Sequence, residues 1–548
     1  MKGRFKLDIW GYITIGLLLL YGIFLVYPMV NLLRCSIFDS GTFTLEYFNR
    51  FFSKKYYFGT LMNSIKVTLG TTLVTLLLGA PLAYFFTMYT IKGSGILRVL
   101  IILSSMSAPF IGAYSWILLL GRSGVITTFL NETLHIQGIN IYGFTGILLV
   151  LVLQLYPLTF LYLSGALKNI DQSLLEACQS LGCSGVKRFF KLILPLVMPT
   201  ILASSLLVFM RALADFGTPM LIGEGYRTFP VLIYNEFMGE VSNDDGFAAA
   251  ISIIAILVTT VIFMAQKYAS NKLAFTMNAL HPVEPKKLKG VMSLAVHLYA
   301  YLIVGLSTIP QGYVIYTSFL KTEGLVFKKG YWLGSYRTMI SKLGSSIGNT
   351  FIIPGCALII IILLAVLIAY LVVRRRSAAT DAIDLISMMP YIIPGSVVGI
   401  AMLICFNRPP LVLSGTFIIM IAALVIRRLP YTIRSSVAIL QQIPLSIEEA
   451  SISLGTSKMR TFFTVTIPMM SNGIISGAIL SWVTMITELS TAIILYTGKT
   501  RTLTISIYTE VIRGNYGVAA ALSTVLTLLT VLSLLVFMKI SKTKDIIM

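Results

Sequence analysis

Residues 176–195 read EACQSLGCSGVKRFFKLILP, and residues 449–468 read EASISLGTSKMRTFFTVTIP. At a constant offset of 273, Glu176 aligns with Glu449, Ala177 with Ala450, Ser180 with Ser453, Leu181 with Leu454 and Gly182 with Gly455. The same offset aligns Phe189 with Phe462, Phe190 with Phe463 and Pro195 with Pro468. Outside this stretch it also relates Pro157 to Pro430 and Asp215 to Glu488. Other matches drift by a few residues, as changes in loop length require: Asn63 and Tyr84 with Asn349 and Tyr370, Arg227 with Arg501, and Gly246-x-Ala-Ala-Ala with Gly517-x-Ala-Ala-Ala. The chain is therefore two copies of one unit, with their features in the same order.

Each copy of the quoted stretch has its own local logic. A short helix is expected from Asp171 to Leu181, and another from Ser446 to Leu454. Ser446 and Glu449 have capping-box spacing. Gly182 and Gly455 stand where a residue in left-handed geometry ends a helix. A second, basic helix follows and is expected to stop near Pro195 or Pro468. A short exposed helix repeated in both halves suits docking into a groove of a cytoplasmic protein.

The surrounding chain is strongly apolar. Of 548 residues, 57% are hydrophobic and 11% charged, against about 25% charged in a soluble domain. Mean hydropathy is +0.88. This balance excludes a soluble enzyme, a disordered chain and a coiled coil, and leaves an all-α polytopic membrane protein. About twelve stretches reach the roughly 20 residues that a bilayer crossing needs. They lie near 9–33, 61–89, 96–120, 143–167, 196–222, 247–266, 291–319, 347–373, 383–406, 412–426, 470–495 and 516–538. None alternates with period two, which argues against a β-barrel. The first follows Lys2, Arg4 and Lys6 as in a signal peptide, but it is too long and no small-x-small site follows it, so it reads as an uncleaved helix.

The basic stretch 268–290 divides the chain into a first repeat, 1–267, and a second, 291–548. Their cores run about 60–267 and 345–540, with the repeated loops at 171–199 and 444–472. With the N-terminus inside, alternate loops hold 25 of the 42 basic residues and nine of the 21 acidic ones, which is +16 of the net +21. That count places Arg427, Arg428 and Arg434 in a basic loop after the 412–426 span. The excess predicts cytoplasmic N- and C-termini. Both repeated loops then face the cytoplasm, so the halves are parallel repeats about an axis along the membrane normal. The five cysteines form no paired framework. The three histidines are far apart in sequence and read as loop or interface residues, so no metal site is implied.

The pattern Glu-Ala-Ala, then Gly, then Ile/Leu-x-Pro resembles the "EAA" loop of ABC importer permeases. Here it reads Glu176-Ala177-Cys178…Gly182…Leu194-Pro195 and Glu449-Ala450-Ser451…Gly455…Ile467-Pro468. Both copies depart from Ala at the third position. Two copies in one chain look like the fused permeases of the ferric-iron group, as do Ala214-Asp215-Phe216-Gly217-Thr218-Pro219 and Glu488-Leu489-Ser490-Thr491. The resemblance implies a type I ABC importer fold in a bacterial inner membrane. It implies a cytoplasmic ATPase dimer that receives the two loops, and an extracytoplasmic binding protein that delivers cargo. ATP would act only through the partner, and no cofactor is expected on this chain. The Gly-Lys-Thr at 498–500 has Ile493 where a phosphate-binding loop needs its first Gly.

Ionisable residues inside spans point to function. Arg211, Asp215 and Glu488 stand out as candidates for the pathway. Asp215 and Glu488 are expected to face one another and could attract a cation such as ferric iron through hard oxygen ligands. Arg211 and Asp215, four apart, could instead neutralise each other. Glu488 has Thr484 at the position matching Arg211 and is expected to lack a basic neighbour. Ferric iron is the leading cargo; 2-aminoethylphosphonate, thiamine or a polyamine are the alternatives within the class. A secondary transporter driven by an ion gradient is the alternative outside it, and would predict inverted repeats.

Overall fold

A computed structural model describes residues 8–541, apart from 40, 107–108, 137, 139, 184, 240–243, 273–280 and 282. Lys2, Arg4, Lys6, Lys542, Lys544 and linker residues 273–280 and 282 lie outside the described residues. Those described form helices, with two short β-hairpins at Phe38–Phe43 and Leu320–Tyr331. Among them, ten helices are long and apolar enough to cross a membrane, or eleven if one bent pair counts as a span.

Five of the twelve expected spans come out differently: 196–222 and 470–495 end as helices at Leu213 and Ile486 and restart as short ones, and three more are reshaped. The stretch 96–120 is split into Ser94–Met106 and Pro109–Leu120, and the spanning unit continues to Thr133. The stretch 383–406 is Ala378–Ile392 and Gly395–Phe406, bent by 111°. The bend falls at Ile393, held extended by the proline after it. The stretch 412–426 is the front of a longer helix, Phe417–Gln442, which carries Arg427, Arg428 and Arg434 without a break. These arginines are not a loop.

The repeat is visible in packing. In the first half Lys55–Met88 packs on Phe144–Lys168, which packs on Leu194–Leu213. In the second, Gly334–Arg374 packs on Phe417–Gln442, which packs on Ile467–Ile486. Thr159 and Thr432, again 273 apart, are fully buried in the two central helices. Each faces a glycine of a flanking helix: a Cβ on Gly79 would lie 2.9 Å from Thr159 Cβ, and one on Gly477 would lie 2.6 Å from Thr432 Cα. Small residues allow this backbone approach, which lipid-embedded helices need because apolar burial alone does not drive them together.

Matched residues also meet at matched places. Tyr84 stacks edge-on against Phe189 at 5.4 Å, and Tyr370 against Phe462 at 4.8 Å. At the opposite end, the Asn63 amide donates to Arg227 O (3.2 Å), and that of Asn349 to Arg501 O (2.9 Å). Ser64 Oγ accepts from Phe229 N and Thr350 Oγ1 from Leu503 N.

The leading helix of each half lies on the other half. Ile9–Ile37 packs on Ala378–Ile392 and Gly395–Phe406, with the Trp10 ring 4.5 Å from that of Tyr370. Gly290–Thr317 packs on Ser94–Met106 and Pro109–Leu120, and the Tyr301 hydroxyl donates to Lys92 O. The two sequence halves are thus interlocked.

Gly477→Leu should destabilise the protein by about 1–3 kcal/mol, because an overpacked contact must spread two backbones. Thermal unfolding of the purified chain should show a lowered midpoint, whereas Gly355→Leu, which meets open space, should leave it unchanged.

Candidate functional site

The two repeated loops share one geometry. The helices are Gln172–Ser180 and Leu445–Ser453. Gly182 and Gly455 have φ of +76° and +92°, as their position past the helix end predicts. In the first loop Gly182 N donates to Gln179 O and Cys183 N to Cys178 O; in the second Gly455 N donates to Ile452 O and Thr456 N to Ser451 O. These are the paired bonds of a Schellman cap. The N-terminal caps differ. The Asp171 carboxylate accepts from Ser173 N (2.9 Å). The expected Ser446 capping box is not formed: the helix starts at Leu445, after Pro444, which has no side-chain donor or acceptor to offer.

Glu176, Ala177, Glu449 and Ala450 are exposed. So are two apolar pairs whose role the sequence did not single out: Leu181 and Leu454 are 83% and 88% exposed, and Phe190 and Phe463 about 60%. Large apolar side chains held outward at the same place in both halves mark an interaction surface.

The basic helix after each loop does not stop at its proline. Pro195 and Pro468 lack an N–H, and their rings exclude the carbonyl four residues back. The helix widens to a π turn over Phe189–Ile193 and Phe462–Thr466, then runs on as Leu194–Leu213 and Ile467–Ile486. One continuous element therefore joins each loop to the membrane interior.

The loops are anchored by different chemistry. Arg374 Nε bonds Glu448 Oε1 at 2.8 Å, and its second nitrogen donates to Ile443 O, with both side chains about 10% exposed or less. The matching positions of the first half are Met88 and Leu175, both buried in an apolar cluster. There the linker helps: Gln172 N donates to His281 O, His281 N to Asp171 Oδ2, and Lys286 N to Met88 O.

At the far end of the continuous helices the chain breaks and restarts as Gly217–Ile222 or Ala492–Leu495. Asp215 Oδ1 accepts from Thr218 N (2.8 Å), and Glu488 Oε1 from Thr491 N (3.0 Å). Both carboxylates thus accept a backbone N–H at the start of the restarted segment, at matched positions. Glu488 does not lack basic neighbours. Arg427 bonds its Oε1 at 2.6 Å, and Arg428 bonds its Oε2. Among the described residues no ion pair joins Arg211 to Asp215. Arg211 instead lies within electrostatic reach of Tyr162, Tyr391 and Tyr431.

Arg211, Asp215 and Glu488 line one cavity of about 190 Å³, with Arg427, Arg428 and Tyr431. Residues of both halves contribute to its wall. Among the described residues no cluster of three His, Cys, Asp or Glu side chains is placed to hold a metal ion.

The family described as "binding-protein-dependent transport system inner membrane component" matches residues 75–274 and again residues 361–543, each match containing one repeated loop. The chain belongs to this family. It is a multi-pass inner-membrane permease of the ABC importer class, a transport subunit with two family domains in one chain. Its similar relatives include the ferric transport system permease protein FbpB of Actinobacillus pleuropneumoniae, 29% identical over 538 residues, covering 95% of this chain and 77% of that one. The Fe(3+)-transport system permease protein FbpB 2 of Haemophilus influenzae is 24% identical over 473 residues, covering 85% and 87%. The spermidine/putrescine permease PotB of Escherichia coli is 30% identical over 244 residues, covering 43% of this permease and 86% of PotB.

Arg374→Met should cost about 3–5 kcal/mol, since it leaves the buried Glu448 charge alone. Arg374→Met with Glu448→Leu, which installs the chemistry of the first half, should recover most of that loss. A double-mutant cycle on unfolding of the purified permease measures the coupling.

Proposed function

We propose that the permease carries ferric iron inward, driven by a cytoplasmic ATPase dimer that grips the two repeated loops. An extracytoplasmic binding protein delivers the cargo to the opposite face. The observation that carries this reading is the matched pair of loops, with one cap geometry and one outward leucine each. The iron assignment is supported by relatives named for ferric transport that align along most of the chain, while the polyamine permease aligns with less than half. Basic residues near both loops support cytoplasmic termini.

In this mechanism Glu176, Ala177, Glu449 and Ala450 lie on the exposed docking helices. Gly182 and Gly455 turn the chain so that Leu181 and Leu454 project into the partner. Pro195 and Pro468 mark the π turns through which each loop continues into its long helix. Twenty residues of helix span about 30 Å, so a displacement of the loop reaches the break at Asp215 or Glu488 as rigid-body motion. ATP closure of the dimer would draw the loops together and rock the halves around the cavity. ATP is held by the partner, and this chain needs no cofactor of its own.

The test is uptake of ⁵⁵Fe into proteoliposomes holding the permease, its ATPase and its binding protein. Wild type should accumulate iron only with ATP. Gly182→Val with Gly455→Val, which cannot hold the left-handed turn without strain, should cut uptake at least tenfold while the chain stays inserted. Absence of ATP-dependent iron uptake by wild type, or normal uptake by the double variant, would overturn the assignment. Uptake that needs no ATPase and collapses with the ion gradient would favour a secondary transporter.

A further inference from the structure

The charge of the cavity carries information that the names of the relatives do not. Five charged side chains line it: Arg211, Arg427, Arg428, Asp215 and Glu488. Guanidinium groups stay protonated in proteins, so three fixed positive charges face two carboxylates. Glu488 is already saturated, and Asp215 is the one acidic side chain of the cavity without an ion pair among the described residues. Glu488 accepts from Arg427, Arg428, Ser490 Oγ and Thr491 N. Asp215 accepts from Thr218 N at the start of a restarted helix.

The positive groups, in contrast, have capacity left. Arg211 has no carboxylate within ion-pair distance among the described residues. Arg427 Nε and Arg428 Nε are buried without a hydrogen-bond partner. An unpaired guanidinium donor in a low-dielectric interior is a standing demand for an acceptor. Tyr431 and Tyr391 add phenol groups to the same wall. The asymmetry between the halves is what produces the surplus. Gln154 and Leu155 occupy the first-half positions matching Arg427 and Arg428, and Thr484 the second-half position matching Arg211.

We infer that the cargo crosses this cavity as an anion: a metal complex whose carboxylate or other oxyanion ligands outweigh the charge of the metal, held by Arg211 beside the positive Arg427–Arg428–Glu488 cluster. A bare ferric ion or a polyamine would enter against a net positive wall. The identity of the metal rests on the iron reading above, but the sign of the cargo rests on the residues alone.

The experiment compares ⁵⁵Fe uptake by the assembled importer for wild type, Arg211→Gln, Arg211→Lys and Asp215→Asn, normalised to inserted permease. In parallel, ferric citrate, iron-free citrate and spermidine are titrated calorimetrically into the purified full chain in nanodiscs. The inference expects Arg211→Gln to lose at least tenfold in uptake and in ferric citrate affinity, and Arg211→Lys to retain most of both. Asp215→Asn should lose less than Arg211→Gln, and spermidine should not bind. It is overturned if Arg211→Gln stays within twofold of wild type, or if spermidine binds more tightly than citrate. If wild type takes up no iron yet binds iron-free citrate in an Arg211-dependent way, the iron reading fails and the anionic cargo stands. If iron enters normally in Arg211→Gln, the iron reading stands and the anionic cargo fails.

Discussion

A helix that breaks and restarts in a buried interior leaves the last C=O groups of one segment and the first N–H groups of the next without water to pair with. Both halves of this permease stop a helix in the interior, and both meet the demand with a carboxylate three residues before the N–H it accepts, Asp215 to Thr218 and Glu488 to Thr491. Much of the central cavity follows from that requirement. A buried carboxylate needs a counter-charge, so Arg427 and Arg428 converge on Glu488 from the neighbouring helix. Once two arginines serve one acid, and Arg211 lines the same space, the wall between the halves becomes positive.

The two halves solve the same problems with different side chains. One repeated loop is fixed by a buried Arg374–Glu448 pair, the other by Met88 and Leu175 with the linker laid across its start. A buried ion pair is seldom more stabilising than the apolar contact it replaces, so neither arrangement is required for stability alone. What both keep is the outward geometry: the left-handed glycine, the exposed leucine and the π turn before the proline. That shared geometry is what the proposed docking role needs, while the means of anchoring it differs between the halves.

Much of this was legible in the sequence because it depended on local or repeated signals. Gly182 and Gly455 could be placed because a left-handed helix end selects glycine whatever surrounds it. The equivalence of Tyr84 with Tyr370 and of Phe189 with Phe462 was read from the repeat, but that each tyrosine meets its phenylalanine came only with the structure. What stayed hidden depended on partners distant in sequence. Arg427 and Arg428 read as a cytoplasmic loop because hydropathy treats a charge as a reason to leave the membrane, and the acid that retains them lies 60 residues on. The proline after Ile393 was plain, but the 111° bend that divides its span was not. Pro195 and Pro468 read as stops because the π turn that accommodates each one is formed by the helix before it.

The proposed mechanism turns on one contact: each repeated loop touches one ATPase subunit, and the helix behind it carries that contact to the cavity. Cys178 and Ser451 occupy the same position in the two loops. In a chain keeping Cys178 and carrying Ser451→Cys, with the other native cysteines replaced, maleimide–benzophenone labelling and photo-cross-linking in the assembled importer test the claim directly. The account predicts that each position joins a separate ATPase subunit, and that either bridge arrests ATP-driven uptake. Failure of both positions to cross-link in an importer that still transports would contradict it.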